Sequence, residues 1–388
     1  MKKTVLLLIT LWCCTLSAVT ELSNVELNRH FKLDLLPENN SWTIEEISKQ
    51  MRKSVSFVPS PSRHTAKNLQ KDFFSVKLYE ININCASDQK SVTSIELIFA
   101  NKGDTKRKSS QQIKKSNRIL EKNLAKNFGQ PVNTHSGTGK LRKSVKLWTF
   151  SNAKLILDSQ NDEYVTIILM PAAAEIAQNN KQHVDLEMLK KNIETNDFGD
   201  HYIKNIPMID QGSKGYCLPA TVARIFALYG FNDVSMHKLA DIAETGKGGG
   251  TSVSNILSPL RSICKQKNIR IDSVEISVDK IAKHIDNGFP VVWIMFASKP
   301  YETYRREAQR KRRKIDNPER WARHLKKVKV SKFKNEGPHA CLIIGYNRIT
   351  GELAVSNSWG AGENAPSWIP MKVAEKASQG NGFVLIAK

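Results

Sequence analysis

Several features that define other classes of protein are missing from these 388 residues. The longest apolar block, residues 5–14, is too short to cross a bilayer, which takes about 20 residues, and no later segment is long enough. Only four of the six cysteines lie beyond this block, too few in so long a chain for a disulfide framework. No metal-ligand cluster, phosphate-binding loop or paired-carboxylate site stands out. We therefore expect no transmembrane segment in the mature chain, no essential disulfide, no metal and no cofactor.

The N-terminal end has the parts of a secretory signal. Lys2 and Lys3 precede the apolar block, and small residues follow it at Ser17 and Ala18, the order that a signal peptide requires. We predict that residues 1–20 are a signal peptide, with an uncleaved anchor as the alternative. We therefore expect the protein to be exported, either to the periplasm or to the extracellular space.

Acidic residues are scarce, with 37 Asp and Glu against 59 Lys and Arg, a formal net charge of +22. Such a surplus indicates an anionic partner and says nothing about fold. Fifteen of the basic residues, against five acids, fall in residues 299–336, among interleaved aromatics. This basic insertion is either a solvated surface excursion or an electrostatic platform for an acidic glycan, lipid or peptide. We do not expect nucleic acid, because the chain is predicted to be exported and has no recognised nucleic-acid-binding fold.

Hydrophobic patterning divides the rest of the chain into two α+β units. Residues 21–170 combine alternating strands with an amphipathic helix that begins at Ser110 and ends before Gly129. Residues 171–205 are predicted to be a linker with a short helix, and residues 206–388 are the second domain. No residues of the first unit stand at the spacing of a catalytic site, so this unit is either an inhibitory pro-region or a binding module.

Residues 211–230 place a cysteine where a loop turns into a helix. Pro219 is tolerated only in the first turn, so the helix begins near Cys217, and Gly230 is expected to cap its end. Unpaired N–H groups and the helix dipole favour a thiolate at Cys217. Such sites lower a cysteine pKa from about 8.5 to about 3.5–7.5. The alternative is a buried structural cysteine.

Three further residues have the chemistry that a nucleophilic thiol needs, and they follow in a fixed order. Gln211 lies six residues before Cys217, whereas His339 and Asn357 lie 122 and 140 residues after it. An imidazole can hold the thiol proton and return it to a leaving amine, and an amide can orient the imidazole. A side-chain amide and the cysteine N–H can stabilise an oxyanion.

The motifs QGSKGYC, GPHACLIIGY and NSWG resemble those of papain-like cysteine peptidases. The resemblance implies that Cys217 is the nucleophile and His339 the general base. It also implies that Asn357 orients the imidazole and that Gln211 is the oxyanion donor. The implied fold is a helical lobe, which begins with the cysteine helix, plus an antiparallel β lobe.

Three further residues within these motifs are predicted to contact substrate, namely Gly215, Tyr216 and Trp359. The resemblance also implies that Trp359 shields the hydrogen bond between Asn357 and His339. The intervening CLPATVARIFALYG, GKGGGTS and NGFPVVWIMF are similar to the branch of bacteriocin-leader-processing, or double-glycine, peptidases. The chain departs from these patterns at Leu218, where that branch has glycine, and at Tyr216, where papain has a small residue. Its asparagine motif is papain's, whereas that branch more often has aspartate.

We therefore predict a secreted thiol peptidase with a peptide or protein substrate. A cell-envelope amidase or peptidoglycan endopeptidase would use the same residues. A hypothesis of a different class is a catalytically silent, cationic binding protein on a peptidase fold.

Overall fold

The computed structural model describes residues 21–51, 55–57, 63–86, 88, 90–102, 110–160, 163–176, 183–212, 215–246, 250–360 and 365–388. The predicted signal peptide lies outside these ranges. The described residues form two antiparallel sheets with helices, and each sheet has its own buried apolar cluster. The predicted α+β class is confirmed. None of the helices in the described ranges is long and apolar enough to span a membrane.

The N-terminal domain is built on a seven-stranded sheet in the order β1-β2-β3-β7-β6-β5-β4. Its strands are β1 (Arg63–Phe73), β2 (Val76–Cys85), β3 (Val92–Asn101), β4 (Val132–Ser136), β5 (Lys143–Thr149), β6 (Ala153–Gln160) and β7 (Tyr164–Pro171). Its helices are α1 (Asn24–Phe31), α2 (Ile44–Met51) and α3 (Ser110–Phe128), with a 3-10 turn at Gly139–Leu141.

Helix α3 packs on β2, β3 and β7 with the predicted apolar stripe, Ile113, Leu120, Leu124 and Phe128. Gly129 follows it at a φ of +79°, a left-handed conformation that glycine adopts without a steric penalty. Strand β1 was not predicted, because its sequence RHTAKNLQKDF is mostly polar. It lies at the edge of the sheet, where a strand pairs with only one neighbour and can form with few apolar side chains.

The C-terminal domain is built on the strand path β10-β15-β11-β12-β13-β14, to which β9 is added beside β12 and β8 beside β9. The strands are β8 (Ile193–Thr195), β9 (His201–Ile203), β10 (Ile269–Val274), β11 (Val291–Phe296), β12 (Pro338–Asn347), β13 (Glu352–Ser356), β14 (Ser367–Pro370) and β15 (Gly382–Ala387). The helices are α4 (Leu186–Lys191), α5 (Cys217–Leu228), α6 (Met236–Ile242), α7 (Val253–Gln266), α8 (Val278–Ile285), α9 (Lys299–Arg312), α10 (Pro318–Lys326) and α11 (Met371–Ala377).

Much of the segment predicted as a linker, residues 171–205, is instead part of the C-terminal domain. Strand β9 pairs with β12, where Tyr202 lies opposite Gly345. A Cβ atom at Gly345 would lie 2.4 Å from that of Tyr202, so only glycine permits this close approach. Leu189 and Ile203 are fully buried in the C-terminal core. The predicted boundary missed this region because its strands are only three residues long.

The basic insertion is a folded part of the C-terminal domain rather than a loose excursion. Helices α9 and α10 bury Tyr301, Tyr304 and Trp321, so these rings are not surfaces on which bases could stack. Arg312 pairs with Asp200 and lies 3.0 Å from the Glu352 carboxylate. The positive charge of the insertion is therefore partly internal.

Arg312→Ala is predicted to destabilise the protein by about 3–5 kcal/mol, because it leaves two buried carboxylates, Asp200 and Glu352, without their counter-charge. The exposed neighbouring variant Arg313→Ala should change the free energy of unfolding by less than about 0.5 kcal/mol. Urea unfolding of both variants measures this difference. Equal stabilities would contradict the structural role of Arg312.

Candidate active site

Helix α5 carries the predicted nucleophile at its first residue. Its N-cap is Tyr216 and Pro219 lies in its first turn, as predicted. Gly230 follows the helix at a φ of +86°, which confirms the predicted cap. The Thr221 hydroxyl donates to the Ala340 carbonyl at 3.1 Å. This buried bond fixes the cysteine helix against β12, the strand that carries the predicted base.

The Cys217 thiol lies between the start of its helix and strand β12. Burial raises its pKa, and the nearby backbone N–H groups of Ala340, Leu218 and Cys217 oppose this rise. The helix start alone predicts a lowered pKa, so burial reverses that expectation. Unless a protonated imidazole pairs with the sulfur, the neutral thiol is therefore favoured. The other three described cysteines, Cys85, Cys264 and Cys341, are buried free thiols.

His339 is buried at the start of β12. Its Nε2 lies 3.0 Å from the Asn357 amide oxygen. Because an amide oxygen only accepts, this bond assigns the proton to Nε2 and leaves Nδ1 as the nitrogen that can take a thiol proton. The Trp359 ring lies over the imidazole, with centroids 4.6 Å apart and an interplanar angle of 30°. Trp359 is 36% exposed and covers this side of the His339 ring.

Gln211 is fixed to the end of the same sheet by Ser358. Its backbone N–H donates to the Ser358 carbonyl at 2.9 Å, and the Ser358 hydroxyl donates to its side-chain oxygen at 2.8 Å. Because Ser358 holds the oxygen of the amide, the Nε2 donor points the other way. Sequence reasoning missed Ser358, although it lies inside the NSWG motif.

Arg224 is a second residue that sequence reasoning missed. It lies in the middle of α5 and is 1% exposed. Its guanidinium donates to the carbonyls of Pro207, Ser356 and Asn357 at 2.8–3.1 Å and to the Ser356 hydroxyl at 2.6 Å. It therefore ties the cysteine helix to the residue that orients His339. A charged residue inside an apolar helix was the sequence signal that could have indicated this.

The three residues predicted to contact substrate differ in their surroundings. Tyr216 is 1% exposed, and its hydroxyl donates to Glu163 of the N-terminal domain at 2.6 Å. Its side chain is buried in this contact, and its substrate role stays a prediction. The Gly215 carbonyl accepts a hydrogen bond from the Gly250 N–H at 3.0 Å. For Gly215 and Trp359 the substrate role stays a prediction.

A cavity of about 380 Å³ lies between the N-terminal sheet and the C-terminal domain. Its lining includes Asp210 and Gly360, next to the predicted site, but none of the four described residues predicted to be catalytic. The cavity therefore lies next to the site, at the domain interface. Among the described residues, no group of three or more His, Cys, Asp or Glu side chains could hold a metal ion.

A cysteine at a helix start, a histidine held by an asparagine and a glutamine beside them define the class of papain-like thiol hydrolases. Residues 203–379 match the Peptidase_C39 like family. This part of the chain is thus a C39-like peptidase domain of the papain-like superfamily, preceded by a smaller domain, and its class is cysteine peptidase, a hydrolase. No curated protein matches the chain.

Three solved structures are each similar to just under half of this chain. The peptidase domain of Streptococcus ComA, a bifunctional ABC transporter of a quorum-sensing pathway, is 14% identical, with 47% of this chain and 99% of that one covered and a TM-score of 0.30. A C39-like peptidase from Bacillus anthracis is 14% identical, with 49% and 98% covered and a TM-score of 0.33. A double-glycine-motif protease of an AMS/PCAT transporter, solved with its leader peptide, is 12% identical, with 47% and 91% covered and a TM-score of 0.29.

Ser358→Ala is predicted to lower kcat for peptide hydrolysis about 10- to 100-fold, because it frees the Gln211 amide to turn away from the oxyanion. Gln211→Ala should cost about 100- to 1,000-fold, and the double variant no more than that, since both changes remove one interaction. Ser94→Ala, which removes a buried hydrogen bond of 3.0 Å in the N-terminal domain, is the control. Additive losses in the double variant would contradict the prediction.

Proposed function

We propose that the protein is an exported cysteine peptidase that hydrolyses peptide bonds through an acyl-enzyme on Cys217, with His339 as general base and acid. One observation carries the proposal. The Thr221 hydroxyl of the cysteine helix donates to the carbonyl of Ala340 at 3.1 Å, which joins that helix to the residue that follows His339, while Asn357 holds the far nitrogen of the imidazole. Export rests on the signal-like composition of residues 1–20.

In the proposed reaction His339 Nδ1 takes the proton of the Cys217 thiol. The thiolate then attacks the carbonyl carbon, so that a C–S bond forms and the carbonyl electron pair moves to oxygen. The Gln211 amide and the Cys217 N–H would donate to that oxyanion. When the oxyanion collapses, the C–N bond breaks and the imidazolium gives its proton to the leaving amine.

The second half of the reaction reverses these roles. His339 takes a proton from water, and the oxygen attacks the acyl carbon. The C–S bond then breaks, the acid product leaves, and the thiol regains the proton. Asn357 keeps the imidazole in one orientation through both halves, and the Trp359 ring keeps water from one face of that pair.

A cell-envelope amidase or peptidoglycan endopeptidase is the second candidate, and surface charge favours it. Of the fifteen Lys and Arg residues in the basic insertion, all but Arg305 and Arg312 are exposed. Their field would attract an anionic envelope polymer and would be weakened by salt. Hydrolysis of peptidoglycan fragments but not of linear peptides, including peptides with Gly-Gly, would identify this reaction.

The ionisation of Cys217 is predicted to depend on His339. In wild type, alkylation of the thiol should stay fast well below pH 7, because the imidazolium stabilises the thiolate. In His339→Ala this imidazolium is lost, and burial raises the pKa of Cys217, so the rate should rise only at a pH above the range of an ordinary cysteine. Rates of iodoacetamide modification against pH, read by peptide mass spectrometry, measure this.

Cys217→Ala provides the control for both chemistry and labelling. It should abolish hydrolysis and remove the fast-reacting thiol, while the buried Cys85, Cys264 and Cys341 remain unmodified in the folded protein. A wild-type alkylation rate that matches His339→Ala at every pH would contradict the proposed pair. Hydrolysis that survives Cys217→Ala would contradict the acyl-enzyme.

A further inference from the structure

The N-terminal domain contacts the residues that directly precede both predicted oxyanion donors. Lys67 of β1 lies 2.7 Å from the carboxylate of Asp210, the residue before Gln211. On the other side, the hydroxyl of Tyr216, the residue before Cys217, donates to Glu163 at 2.6 Å. The first contact comes from a strand of the N-terminal sheet and the second from the turn residue directly before β7.

The contact at Tyr216 is buried and charged. Tyr216 is 1% and Glu163 4% exposed, and the other carboxylate oxygen of Glu163 lies 2.5 Å from the ammonium of Lys102. A hydrogen bond to an ionised acceptor is about twice as strong as a neutral one, and a low local dielectric strengthens it further. This contact therefore fixes the N-cap of the cysteine helix.

Lys102 also bonds a second part of the peptidase domain. Its ammonium donates to the Thr245 carbonyl at 2.8 Å. Five residues later the Gly250 N–H donates to the carbonyl of Gly215, which precedes Tyr216. The N-terminal domain thus holds two segments of the peptidase domain that are themselves hydrogen-bonded to each other.

The contact at Asp210 shapes the backbone at Gln211. One carboxylate oxygen of Asp210 accepts from the Gly212 N–H at 2.7 Å, which closes a turn around Gln211. The other oxygen accepts a hydrogen bond from the Lys67 ammonium. A Cβ atom at Gly360 would lie 2.8 Å from that second oxygen, so the carboxylate fits only because residue 360 is glycine.

We propose that Glu163 and Lys67 are positioning residues for the reaction, and that the N-terminal domain is a permanent, activating part of the enzyme. It would hold Gln211 and the Cys217 N–H where an oxyanion forms. This inference rests on the proposed function and gives residues 21–170 a role different from both that were left open, an inhibitory pro-region and a binding module. Removal of an inhibitory pro-region would raise the activity, whereas removal of a positioning domain would lower it.

The test uses the full chain with two mild variants and a matched control. Tyr216→Phe removes only the hydroxyl, and Lys67→Met removes only the charge. The control, Lys143→Met, breaks another ion pair between the domains, 2.7 Å from Asp241 of α6. We expect kcat to fall at least about tenfold in both test variants, with KM within about twofold of wild type, and neither to change in the control.

Glu163→Gln separates positioning from bulk stability. The glutamine oxygen can still accept from the Tyr216 hydroxyl, so this variant should keep more of kcat than Tyr216→Phe, although it weakens the pair with Lys102. A loss of kcat that only follows the melting temperature across the four variants would indicate a structural role and overturn the proposal.

Hydrogen exchange provides a readout that does not depend on catalysis. The N–H groups of Gln211 and Gly212 are bonded in the structure, and their exchange should be about tenfold faster in Tyr216→Phe and Lys67→Met than in Lys143→Met. Unchanged exchange together with unchanged kcat would overturn the proposal. So would a full chain that becomes active only when residues 21–170 are cleaved away.

The same experiments separate this proposal from the proposed function. If wild type shows no hydrolysis that depends on Cys217, the proposed function fails, and the exchange rates alone decide whether the N-terminal domain positions these residues. If wild type is active and the test variants match the control, the proposed function stands and the positioning role fails.

Discussion

The buried guanidinium of Arg224 is the interaction on which the geometry of the site depends. A charge so deeply buried is costly unless it is hydrogen-bonded throughout, and here its donors bond backbone carbonyls from two separate segments and the Ser356 hydroxyl. Since one of those carbonyls belongs to Asn357, the helix that begins with the nucleophile and the residue that orients the base cannot shift independently. The relative positions of the catalytic residues therefore depend on one side chain that takes no part in the reaction.

The second constraint comes from outside the peptidase domain. Tyr216 departs from the small residue of papain, and its hydroxyl reaches Glu163 in the N-terminal domain. A small residue at this position could not make that bond. The departure is thus explained by the domain interface rather than by substrate selection.

Positive charge has two different uses in the basic insertion. Arg305 and Arg312 are internal. Arg305 bonds Glu302 and Ser367 and lies 5.6 Å from the centre of the Trp359 ring, the ring that covers His339. The remaining basic side chains are exposed and produce a field that salt can screen. Only the exposed set is available to an anionic partner, and composition could not separate the two sets.

The sequence by itself determined the parts that depend on local order. Proline in the first turn and a glycine cap bounded helix α5, the apolar stripe bounded α3, and the motifs indicated the peptidase class, because these features depend on backbone geometry over a few residues. Tertiary structure alone decided the pKa direction of Cys217, the hold of Ser358 on Gln211, the membership of β8 and β9 in the second sheet, and the contact of Glu163 with Tyr216. Each of these depends on burial or on partners distant along the chain, and no local pattern encodes which distant residues will meet.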